Sequence, residues 1–92
     1  MRVVEIRLGE ELPQKDFMAL DMIYVSKLPP GLQLVFEMTS YKGGATNQEE
    51  RGVALEQGQF MDYFKLKNGD SSFGGIDLRD FIVRRIILKR PD

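Results

Sequence analysis

The chain contains no cysteine and no histidine. Without cysteine there is no disulfide framework, no thiolate nucleophile and no thiolate metal site. Without histidine the commonest general base and the commonest metal ligand are missing, and so are the Ser-His and Cys-His nucleophile arrangements. Any catalysis by its own side chains would rest on Asp, Glu, Lys, Arg, Tyr or Ser, or on a carboxylate-bound hard cation. No catalytic residue, metal site or cofactor is therefore expected. Long apolar runs are missing too: none approaches the roughly 20 residues of a membrane-spanning helix. The start, Met1-Arg2-Val3-Val4-Glu5, lacks the apolar block and cleavage site of a signal peptide, so a cytoplasmic location is the expectation.

A large excess of either charge is also missing. Thirteen basic and fourteen acidic side chains give a net charge of −1, which by itself implies no partner. Ninety-two residues make one domain, and a domain this size buries only about 60–70 % of the surface its unfolded chain exposes. Its composition, 42 % hydrophobic and 29 % charged, is that of a globular protein.

What is present is mostly alternation. Val4, Ile6 and Leu8 share one parity and Glu5 and Arg7 the other, which predicts a half-buried strand over 2–8. Residues 12–23 read equally as a short helix opened by Pro13 or as the approach to a strand. Pro30-Gly31 fits the centre of a type II turn, and after it Leu32, Leu34, Phe36 and Met38 share one face against Gln33, Glu37 and Thr39. With residues 22–28 this run predicts a hairpin. Residues 42–52 hold no large apolar side chain and read as a polar surface loop; Asn47 followed by Glu50 has the spacing of a capping box. Residues 60–67 read as a strand leading into Asn68-Gly69, a hairpin signal, with 71–76 returning antiparallel. Residues 81–88, Phe-Ile-Val-Arg-Arg-Ile-Ile-Leu, are rich in β-branched side chains and predict the last strand, against a rival helix over 77–88 capped by Asp77. The sum is a mainly β domain, or α+β with one or two short helices: a small antiparallel barrel or sandwich of five to seven strands.

Candidate chemistry is sparse. Glu10, Glu11 and Asp16, Glu49 with Glu50, and Asp77 with Asp80 are neighbouring carboxylates, and acid–base work needs two whose environments differ. Exposed charges at loop ends account for all of them, and Asp77-x-x-Asp80 lacks the further oxygen ligands of a calcium loop. A carboxylate-dependent enzyme is the third reading of the chain.

Asp70-Ser71-Ser72-Phe73-Gly74-Gly75 resembles half of the signature of the PilZ cyclic-dinucleotide receptors. That family's motif also has an upstream Arg-x-x-x-Arg that grips the phosphates, and this chain has none. The resemblance covers six residues and would imply a cyclic-dinucleotide sensor. A turn rich in Asp, Ser and Gly explains the same residues by conformation alone.

The last strand carries Arg84, Arg85, Lys89 and Arg90 with no acidic residue between 82 and 90. Beside the aromatics Tyr41, Phe60, Tyr63, Phe64, Phe73 and Phe81, this basic strand has the ingredients of single-stranded nucleic-acid binding, with Tyr63, Phe73, Arg84, Arg85 and Lys89 as contacts. Against that stand the acidic pI, near 5.4, and the aromatic demand of a β core. The favoured expectation is a non-catalytic interaction module, homo-oligomeric or an accessory subunit. It would bind a protein partner through Arg84, Arg85, Ile86, Lys89 and Arg90 at a strand edge or barrel face, with loop 42–52 as a rim. Its geometric basis is alternation: adjacent arginines on a regular strand point to opposite faces, so one of them needs a partner.

Overall fold

The computed structural model describes residues 2–12, 19–26, 29–40, 44–56 and 58–90. Among these residues the strands are β1 (Val3–Glu5), β2 (Glu11–Leu12), β3 (Met22–Tyr24), β4 (Gln33–Ser40), β5 (Asn47–Val53), β6 (Phe60–Asp62) and β7 (Phe81–Lys89), with one short α-helix, α1 (Tyr63–Lys67). They form two sheets, of order β1-β3-β6 and β2-β7-β4-β5. The expected mainly β fold is what the chain adopts, and among the described residues the sheets do not close into a barrel.

Alternation builds the core. Leu34, Phe36 and Met38 on β4 and Val83, Ile86 and Leu88 on β7 face the same interior as Ile23 on β3 and Met61 on β6. The Phe36 ring stacks on Tyr63 with centroids 6.5 Å apart, which ties the four-stranded sheet to α1. Burying such side chains contributes roughly 1.5–3 kcal/mol each. The Pro29–Leu32 turn is as expected: Leu32 N–H donates to the Pro29 carbonyl (3.3 Å) and Gly31 takes φ +84.

The turn does not close the expected hairpin. Residues 22–24 pair with β1 in parallel and with β6 antiparallel, whereas β4 pairs with β5 and β7. The Pro-Gly turn carries the chain from one sheet to the other.

The Asn68-Gly69 expectation is also corrected. The strand stops at Asp62, whose carboxylate accepts from the Lys65 N–H (3.0 Å), capping a helix that buries Tyr63 and Leu66 three residues apart. Gly69 N–H returns to the Leu66 carbonyl (3.4 Å) and Asp70 N–H to the Lys65 carbonyl (2.9 Å), with Gly69 at φ +108. This is a Schellman C-terminus, which uses glycine's positive φ as a hairpin turn would. Residues 71–76 form turns rather than a returning strand.

Most of the predicted polar loop is strand β5, paired residue for residue with β4 from Leu34↔Val53 to Ser40↔Asn47. Asn47 and Glu50 lie in that strand, so they form no capping box. Residues 13–18, where helix and strand were equally expected, lie outside the described residues, as do 41–43. At the chain's end Asp77 does cap, accepting from Arg79 N–H (3.0 Å), but it opens only a 3-10 turn, Leu78–Asp80. The strand reading of 81–88 is correct, with one difference in position: β7 lies inside its sheet, between β2 and β4.

Candidate interaction surfaces

The partner of β4 slips by one residue in β7. Glu37 pairs with Arg85 and Met38 with Val83, so Arg84 is an extra residue opposite that step, a β-bulge. Val83 and Ile86 both belong to the core. The two arginines therefore occupy the two positions between them that turn away from it. The expectation that Arg84 and Arg85 face opposite sides of the strand is wrong, because the bulge cancels the alternation on which it rested. Ile86, named as a contact residue, is 0 % exposed and serves the core.

The outward face of this sheet is a self-neutralised network. Arg85 donates to Glu37 through Nε and lies 3.4 Å from Glu11 through Nη1. Its guanidinium is held above the usual arginine range, first by the bond to Glu37 and then by the nearby carboxylate charges. Lys89 stands across from Gln33, yet its ammonium reaches Glu50 at 3.5 Å, so its stem spans β4. Val35, paired with Gly52 and Ile87 on this outward face, is 1 % exposed. Gly52 contributes by having no side chain, since a Cβ there would run into Gln33. Arg90 is exposed at the mouth of a groove of about 370 Å³ that is otherwise lined mainly by Leu8, Pro29, Leu32, Ile87 and Leu88. Arg84 differs from its neighbour: its Nε is enclosed and meets no acceptor.

Of the two aromatics named for nucleic-acid stacking, one is buried and the other half-buried. Tyr63 is 2 % exposed, and burial pushes its hydroxyl up to about 12. Phe73 packs against the core. The exposed aromatics are others. On the three-stranded sheet, β1, β3 and β6 turn Val4, Ile23 and Met61 inward, leaving two outward rows, Val3-Met22-Asp62 and Glu5-Tyr24-Phe60. Val3 is 50 % exposed and Phe60 53 %, and Phe60 stacks on Tyr24 at 4.5 Å. Phe64, 55 % exposed, is held beside them because its N–H donates to the Asp21 carbonyl (3.0 Å). Asp21, Met22, Asp62 and Phe64 line a shallow groove of about 320 Å³. Lys67 lies 5.9 Å from the Phe64 ring centroid. Sequence reasoning missed this face because it assigned 60–67 to a strand. The one available signal was that Phe60 and Phe64 stand four apart with Asp62 between them as a cap.

The neighbouring carboxylates singled out in the sequence have local uses. Glu10 lies 4.0 Å from Arg7, Glu49 is 2.8 Å from Arg51, and Asp77 is 2.7 Å from Arg79. Asp16 is outside the described residues. Asp70 accepts from Ser72 N–H at 2.8 Å, a bond that holds its carboxyl below the usual range; the Asp-x-Ser-x-x-Gly segment is thus an Asx turn following α1. Among the described residues no group of three or more acidic side chains is placed to hold a metal ion, and no helix is long and apolar enough to cross a membrane. Comparison of the chain with protein-family models, with curated proteins and with solved structures finds no match to any of them.

Proposed function

We propose that this chain is a non-catalytic interaction module that associates with a second copy of itself through the outward face of the three-stranded sheet. The observation that carries the reading is the gathering of Val3, Phe60 and Phe64 around Met22 and Tyr24. These are three of the five large hydrophobic side chains that the described residues leave exposed, and they share one face. A contiguous apolar patch rimmed by polar groups marks an association site. The rim carries both signs, Asp21, Asp62 and Glu5 against Lys67. A two-fold contact sets such a patch against itself, so each side offers both signs to the other. The thin core of a small domain adds a reason to cover this surface, because it leaves little stability to spare.

Light scattering across about 1 µM to about 1 mM, the span from roughly −8 to −4 kcal/mol of association, tests the reading. The expected result is a mass that rises toward twice the chain's 10.6 kDa and stays at the monomer in Phe60→Lys,Phe64→Lys. A monomer at every concentration overturns it. So does a dimer that the double variant leaves intact.

A further inference from the structure

We propose that Arg84, with Ile82 beside it, is a second docking point, one that takes an extended acidic segment of another protein. The placement is unusual for a cation in a sheet. Arg85 takes both Glu37 and Glu11, and Lys89 takes Glu50, so the carboxylates of this face are already engaged. Arg84 is left with no acidic partner among the described residues, and its Nε has neither solvent nor an acceptor. An arginine fork keeps its charge and needs acceptors for its N–H groups. In the resting state one of them is unsatisfied, which raises the free energy of that position. A carboxylate that draws the guanidinium away from the sheet satisfies it and gains a charge-assisted bond.

The occupant follows from the neighbours. Ile82, on the same outward side as Arg84, is 48 % exposed and stands opposite Thr39. A cation two residues from an exposed aliphatic side chain on one strand matches an extended segment with an acidic and an aliphatic residue at the same spacing. Bulges turn side chains toward functional contacts, and Arg84 is the bulged residue.

The side-chain Nε–H resonance of Arg84 reads the contact directly in a nitrogen–proton spectrum of the whole chain. The probes are the capped peptide acetyl-Val-Glu-Val-Glu-Val-amide, its Gln counterpart, and a ten-residue oligothymidylate. The Glu peptide is expected to move the Arg84 Nε–H and the Ile82 methyl signals saturably. Replacing Glu by Gln, or making Arg84→Gln or Ile82→Thr, is expected to weaken the effect by about tenfold or more. A Gln peptide equal to the Glu peptide overturns the proposal, as does a flat titration. Movement of Arg84 by the oligonucleotide alone overturns it in favour of phosphate. The same titration on Phe60→Lys,Phe64→Lys separates this contact from self-association, because the two sites lie on different sheets.

Discussion

On the four-stranded sheet the outward positions hold Arg85, Glu37, Glu50 and Lys89, joined across three strands into ion pairs. On the three-stranded sheet the outward positions hold Val3, Met22, Tyr24 and Phe60, with a carboxylate, Asp62 or Glu5, at one end of each row, and Tyr24 stacks on Phe60. Strand length separates them. β4 and β7 run eight and nine residues, long enough to set a lysine on one row and its glutamate on another. Strands β1, β3 and β6 run three residues each and offer two rows. Around Glu37, Arg85 and Lys89 the long sheet neutralises its outer face with its own side chains. The short one leaves apolar surface for another molecule to close.

Both sheets pack on one interior, and the largest predicted effect tests that. Phe36→Ala removes the ring that joins β4 to α1 and is expected to cost about 3–5 kcal/mol. Denaturant unfolding followed at far- and near-ultraviolet wavelengths should keep one common midpoint. Two separated transitions would mean that the sheets are independent and that the contrast between their faces is accidental.

A smaller effect comes from Tyr63. Its folded pKa, pushed up to about 12 by burial, exceeds the model-peptide value near 10. The neutral hydroxyl is thus favoured in the folded state. Its contribution is complete below about pH 10 and is lost as pH rises from about 10 to about 12, by roughly 2–3 kcal/mol. Stability measured over that window should fall more steeply in the parent chain than in Tyr63→Phe. Parallel curves would place the hydroxyl in contact with water.

The smallest effect belongs to the charged outer face. Glu37→Gln removes the nearer of Arg85's two carboxylates and is expected to lower the melting temperature by only a few degrees, with less difference in about 1 M salt. A large, salt-independent loss would show that this face is closed by packing rather than by charge.

What the sequence made legible was local. β4 could be read because one of its faces is wet enough to show the alternation of Leu34, Phe36 and Met38 with Gln33 and Glu37, and the Pro30-Gly31 turn because few residues suit it. β7 could be read from its β-branched side chains. The pairing of these strands could not. The hairpin expected after Ile23 and Val25 was a nearest-neighbour assumption, while the actual partners of β3 are residues 3–5, in parallel, and 60–62, antiparallel. β5 was hidden because most of both its faces meets solvent, which leaves Val53 as its one buried apolar residue. Asn68-Gly69 misled because a helix end and a tight turn require the same positive φ. The bulge left no trace, and with it went the geometry of the expected site.

That bulge also bears on chain length. Without Arg84, β7 would read Val83 inward, Arg85 outward, Ile86 inward: an unbroken two-residue rhythm that already matches Met38 and Glu37 on β4. The strand therefore carries one residue that its ladder does not require. A chain shortened by that single residue keeps its frame on both sides, with Val83 and Ile86 still inside and Arg85 still beside Glu37. Deleting Arg84 is therefore expected to leave the fold intact and to remove only the unengaged guanidinium.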